Sequence, residues 1–196
     1  MPAISPDALR AARALAGLSE REVEEQSGVS RHSLEACEAG SPVALLTVAR
    51  LRDFYAVIGI DLLGTIGVNT DFEYMVGARW RLPGEPGRAD EGLDPEGVGF
   101  AFAAARGLLG WDQKRTAREA KLSHRQIGNL EAGGPSTKKS RDDLRIMFEN
   151  KGIEFLGDRV NGRFVGVGVR WSSDADPIYL VDILPPDVEA EIIGRA

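Results

Sequence analysis

The chain has 196 residues, 43% of them hydrophobic and 28% charged, enough for one large domain or two small ones that each bury only a modest core. One cysteine and two histidines leave no intramolecular disulfide and no credible zinc-ligand cluster. The net charge of −6 is unlike that of a uniformly basic nucleic-acid binder, so the distribution of charge matters more than its sum. The apolar stretches are broken by Gly and Asp well short of a membrane span, and MPAISPDALR does not read as a signal peptide. The expectation is a cytoplasmic protein that makes no use of the membrane.

In chain order, Ser5 followed by Pro6 is an N-cap with proline at the first helical position, and Leu9, Ala12, Leu15 and Ala16 recur at helical spacing. Gly17 stops that helix. Ser19 and Glu22 have the S-x-x-E spacing of a capping box, opening a second helix that runs to Gly28, where a tight turn needs positive φ. Ser30 caps a third helix that ends at Gly40 with Pro42 just beyond. Two short helices separated by Gly-Val-Ser form a helix-turn-helix pattern. Leu45 to Val57 supplies a covering helix. GIDLLG and EYMVGARW then alternate β-branched and aromatic residues as paired strands do.

The stretch RLPGEPGRADEGLDPEG has the Pro, Gly and acidic content of an exposed linker. Beyond it the first unit returns. Arg13 matches Arg106 at an offset of 93, and the same offset aligns Leu15 with Leu108, Ser30 with Ser123, Glu38 with Glu131, Gly40 with Gly133, Pro42 with Pro135 and Gly64 with Gly157. Chance does not keep Gly and Pro punctuation in step over fifty residues, so the chain contains an internal duplication. In the second copy Asp112 and Ser123 are the caps. After a two-residue contraction, VGARW ending at Trp80 matches VGVRW ending at Trp171, so the duplicated unit includes the strands.

The segments GLS-EREVEEQSGVS-RHSLEACEAG and GWDQKRTAREAKLSHRQIGNLEAGG resemble the Cro and phage-repressor (XRE) helix-turn-helix family, over roughly residues 6–58 and 99–151. The resemblance implies two five-helix-type DNA-binding units, each followed by a β-hairpin of the kind used in dimer contacts. The expected fold is α+β and mainly α, with hairpins paired about a pseudo-two-fold axis that hides strand edges. The expected domains are 1–82 and 98–172, with a linker at 83–97 and a separate tail at 173–196.

The resemblance also implies that the third helix of each unit lies in the major groove. In the second unit the base readers are then His124, Arg125, Gln126 and Asn129, and in the first Arg31, His32 and Ser33. Arg suits guanine and Gln or Asn suits adenine, each good pair giving about 1–3 kcal/mol of discrimination. Gln113 matches a phosphate-touching position, joined by Lys114, Arg115, Arg118, Lys138, Lys139, Ser140 and Arg141. The two units differ in charge. Residues 106–157 carry eleven cations against seven anions, a net +4, whereas 13–64 carry five against eight, a net −3. Glu20 replaces Gln113 and Glu35 lies near the base-reading face, so the second unit is expected to read DNA and the first to be a weaker reader or a protein contact.

Two departures from the family pattern stand out. Glu24 lies where the family buries a small alanine, and Lys121 replaces the turn glycine, which predicts a differently shaped turn because a Lys at positive φ costs on the order of 1 kcal/mol. His32 and His124 each stand alone, which argues against an enzyme. GVGFAFAAARG lacks the third glycine of a dinucleotide site, so no cofactor is implied. Cys37, aligned with Leu130, reads as a small core residue. Trp80 and Trp171, at matching strand ends, read as packing between hairpin and helices, with a ligand site as the alternative. Taken together the expectation is a nucleoid-associated transcriptional repressor that binds double-stranded DNA, with a homodimer needed if one unit alone reads. The alternative is an antitoxin or adaptor whose acidic first unit or tail binds a protein partner.

Overall fold

The computed structural model describes residues 3–66, 73–82, 85–86, 99–160 and 163–172. The expected tail (173–196) and nearly all of the expected linker (83–97) lie outside the described residues. The elements are β1 (Ala3–Ile4), α1 (Pro6–Ala16), α2 (Glu20–Ser27), α3 (Arg31–Glu38), α4 (Leu45–Val57), β2 (Ile60–Ile66), β3 (Glu73–Trp80), α5 (Phe102–Leu108), α6 (Gln113–Ala120), α7 (His124–Glu131), α8 (Lys138–Glu149), β4 (Ile153–Val160) and β5 (Arg163–Trp171). The chain is mixed α and β and mainly helical. Each half contributes four helices among the described residues, not five. After α4 and α8 the chain turns at Gly59 and Gly152, both at positive φ, and goes directly into a strand.

The helix boundaries follow from side-chain caps. Ser5, Ser19, Ser30, Asp112, Ser123 and Thr137 each accept a hydrogen bond from a backbone N–H of the first turn that no intrahelical carbonyl can reach. Ser19 with Glu22, and Ser123 with Gln126, close full capping boxes. The turn between α6 and α7 does not change shape as expected: Lys121 has φ 54° and ψ 37°, beside 70° and 9° at Gly28. The lysine takes the left-handed conformation itself, at the steric cost that glycine avoids.

Four strands form an antiparallel run in the order β2, β3, β5, β4, and the two-residue β1 pairs parallel with β3. β1 has no forewarning in the sequence, because two residues carry no periodicity. The two hairpins meet through β3 and β5, where Gly77 faces Arg170, Ala78 faces Val169 and Arg79 faces Gly168. Since Gly77 and Arg79 correspond to Gly168 and Arg170, this register is reciprocal about the Ala78–Val169 pair. Glycine is needed at both sites: a Cβ on Gly77 would fall 2.3 Å from the Val169 carbonyl oxygen, and one on Gly168 would fall 2.3 Å from that of Ala78.

α1 and α5 pack together against this sheet, and the core runs without a break from Leu9, Ala12, Leu34 and Leu51 to Ala105, Leu108, Ile127 and Leu144. Neither half closes its own core, as expected for units too small to bury much alone. Trp171 is buried, and its indole N–H donates to Asp7 across the two halves at 3.4 Å. Cys37 is buried, with its thiol pushed up by burial and then by Glu38.

Candidate nucleic-acid interface

α7 carries the sequence-predicted readers and its amphipathic pattern sorts them outward. Ile127 and Leu130 are buried in the core, and the helical repeat then leaves His124, Arg125, Gln126 and Asn129 exposed on the opposite face. At Gly128, between them, a Cβ would meet nothing within 4 Å, so the face is unobstructed there. The four readers are not equally free. Gln126 Oε1 accepts from the Ser123 N–H and hydroxyl at 2.9 Å each, while its amide nitrogen donates to Ser140 Oγ at 3.2 Å. Its side chain fixes the start of α7 against α8.

The predicted phosphate contacts fall on the helices before and after α7. Lys114, Arg115 and Arg118 on α6, and Lys138, Lys139 and Arg141 on α8, are all exposed. Lys138 and Lys139 occupy the first turn of α8, where free N–H groups and the helix dipole already favour an anion. Arg115 lies over the Trp111 ring at 4.5 Å, which orients its guanidinium, and Lys139 is held by Asp143 at 2.6 Å. Lys114, Arg118, Arg125 and Lys138 carry no ion pair to a described residue. Ser140 does not belong to this surface. It is 7% exposed, and its hydroxyl is taken up by Thr137 at 2.8 Å and by Gln126.

Gln113 is turned inward. Its amide donates to Glu131 Oε2 at 2.8 Å, joining the pair formed by Arg106 Nε and Glu131 Oε1 at 2.6 Å. The same ion pair recurs in the first half, where Arg13 holds Glu38 at 2.6 and 2.7 Å and pins the end of α3 to α1. The sequence signal for it was the Arg13/Arg106 and Glu38/Glu131 identity at one offset.

On the first half the corresponding face has other chemistry. Arg31 and His32 are exposed and Ser33 is half-buried, receiving the Ser30 hydroxyl at 2.9 Å. Glu24, which sits where the second half buries Ala117, accepts from the Arg31 N–H at 3.2 Å and pairs with its guanidinium at 3.4 Å. Glu22 and Glu25 stand in the places of Arg115 and Arg118, and Ser19 holds the Glu22 carboxyl below its usual range through hydroxyl and N–H. Leu45 and Leu46, which replace Lys138 and Lys139, are 73% and 63% exposed. The Ala44 cap of α4 gives no side-chain hydrogen bond, unlike Thr137.

No group of three or more His, Cys, Asp or Glu among the described residues is placed to hold a metal ion. No helix among them is long and apolar enough to cross a membrane. The chain matches no family model, no curated protein and no solved structure.

Proposed function

We propose that this chain is a sequence-specific double-stranded DNA-binding regulator of the Cro and phage-repressor kind, acting as a repressor. Its two helix-turn-helix units are related by a pseudo-two-fold axis, and only the second reads DNA. The observation that carries this reading is that α7 exposes His124, Arg125 and Asn129 and is packed on α6 and tied to α8 through Gln126 and Ser140, the two helices that carry six exposed cations. Lys114, Arg115, Arg118, Lys138, Lys139 and Arg141 neutralise phosphates and set register. Arg125 donates two hydrogen bonds to a guanine edge, and Asn129 pairs with adenine. Gln126 serves by holding α7 in place. One reading unit per chain gives few contacts, so two chains assemble on a palindromic operator and exclude polymerase by occupancy.

Selection of duplexes from a random pool tests this, with Arg125→Ala in parallel. A defined motif for the natural chain, lost in the variant while weak non-specific binding persists, is the expected result. Equal enrichment by both proteins would refute the assignment of α7.

A second reading is favoured by the exposed Leu45 and Leu46: where the second unit has Lys138 and Lys139, the first offers an apolar surface for a protein contact. It makes this unit the adaptor surface of the repressor. Restoring the lysines with L45K/L46K is expected to abolish the binding of any co-purifying protein without weakening the operator complex.

A further inference from the structure

At the junction of the halves the duplication breaks its symmetry at Arg10. Arg10, on α1, reaches across to the other half, with its Nε donating to the Gly107 carbonyl at 3.0 Å. Its Nη1 donates to the carbonyl of Glu38, the last residue of α3, and its Nη2 pairs with Asp7. The guanidinium thus fills the space between the end of α3 and α5 and satisfies a helix-terminal carbonyl. At the 93-residue offset Arg10 corresponds to Ala103, Glu38 to Glu131, Asp7 to Phe100, and Gly107 to Ala14.

Where the counterpart of Arg10 is an alanine, a cleft of about 490 Å3 opens, lined by Ala14, Trp80, Phe100, Ala103, Leu130 and Glu131. The carbonyls that receive Arg10 in the filled copy have their equivalents here. Ala14 O accepts from Gly17 at 3.2 Å, just as Gly107 O accepts from Gly110 at 3.0 Å, and among the described residues it has no second donor such as Arg10 supplies. Glu131 O ends α7 as Glu38 O ends α3, with no donor among the described residues, and the negative end of the helix dipole adds to it. In place of the Asp7 carboxylate the wall offers Phe100, whose ring already carries the Arg145 guanidinium at 5.9 Å and packs on Phe155, and Trp80, which suit an apolar body.

We propose that this cleft is a binding site for a small ligand that combines a guanidinium, amidinium or amine with an apolar or aromatic body, doing for the second half what Arg10 does for the first. The ligand would lie against Leu130, Glu131, Ala132 and Gly133, so its occupancy is felt at the end of α7. That consequence is regulatory only if α7 reads DNA, but the binding itself does not depend on that reading.

The test uses the full chain and p-aminobenzamidine, followed by its fluorescence and by amide chemical shifts, without DNA. The expected result is saturable binding about tenfold or more tighter than that of neutral benzamide, because a charged donor to a helix-terminal carbonyl adds about that much over a neutral one. Shifts are expected at Ala14 to Ala16, the Trp80 indole and Leu130 to Gly133. Ala103→Arg, which supplies the missing side chain, is expected to abolish the response. Ala103→Met, which fills the cleft without a charge, guards against misfolding of the arginine variant and is expected to weaken binding likewise. Equal affinity for the neutral probe, undiminished binding by both variants, or shifts confined to the acidic α2 surface would overturn the proposal.

Discussion

Residues at matching positions of the two halves act as internal controls on one another. Tyr55 and Phe148 share a place in the covering helices, but the Tyr55 hydroxyl is buried without a hydrogen-bond partner among the described residues, whereas Phe148 stacks on Phe102 at 6.2 Å. Tyr55→Phe removes an unsatisfied polar group and is expected to raise stability by about 1 kcal/mol, read as a shift in the denaturant midpoint. Burial, reinforced by the Glu38 carboxylate and opposed by Arg13, pushes the phenol above its ordinary value of 10.0. The folded protein therefore holds this proton more tightly than the unfolded chain, so the group leaves stability independent of pH below about pH 10 and lowers it as pH rises further. Denaturant titrations across that range are expected to show a shallower alkaline decline in Tyr55→Phe; parallel curves would contradict the cause given. On the α7 face proposed to read DNA, Arg125→Ala should cost about 1–3 kcal/mol at the matched site alone. Lys138→Ala should weaken all duplexes alike and reduce the salt slope by about one. Equilibrium binding at several salt concentrations separates the two. Which side chains faced outward was legible from helical spacing. That Gln113 and Ser140 turn inward was not, because their partners, Glu131 and Gln126, lie 18 and 14 residues away.

Among the elements, helices were the most legible, since serine, threonine and aspartate caps with following glycines mark their ends locally. The Gly28 to Lys121 exchange misled because a residue preference was read as a shape: the turn kept its left-handed geometry and the lysine bears the strain. The fifth helix came from the family resemblance, and a strand beginning at Ile60 takes its place. Strand pairing across the halves depends on backbone clearance that composition does not announce, although Gly77 and Gly168 were visible as glycines inside strand patterns. Either glycine changed to alanine would place a methyl against a carbonyl oxygen of the partner strand. Gly77→Ala is expected to lower stability by about 1–3 kcal/mol, with the loss seen as a lower Tm. An unchanged Tm would mean that the β3–β5 ribbon does not hold the halves together.

Across the whole molecule the net charge of −6 conceals a gradient from an acidic first half to a basic second one. The reciprocal β3–β5 register and the shared core join the halves, so the first half supports the second even where its own face has lost the cations. If the proposed reading face makes six phosphate contacts, the slope of log affinity against log salt is roughly −5 per chain. The division of labour is the central claim, and one measurement addresses it most directly: titration of the isotope-labelled full chain with its selected duplex, following backbone amides and arginine side chains. The account predicts the largest perturbations at His124, Arg125 and Asn129 and in the first turns of α6 and α8, with Arg31, His32, Leu45 and Leu46 little changed. Perturbations of equal size on α3, or centred there, would contradict it.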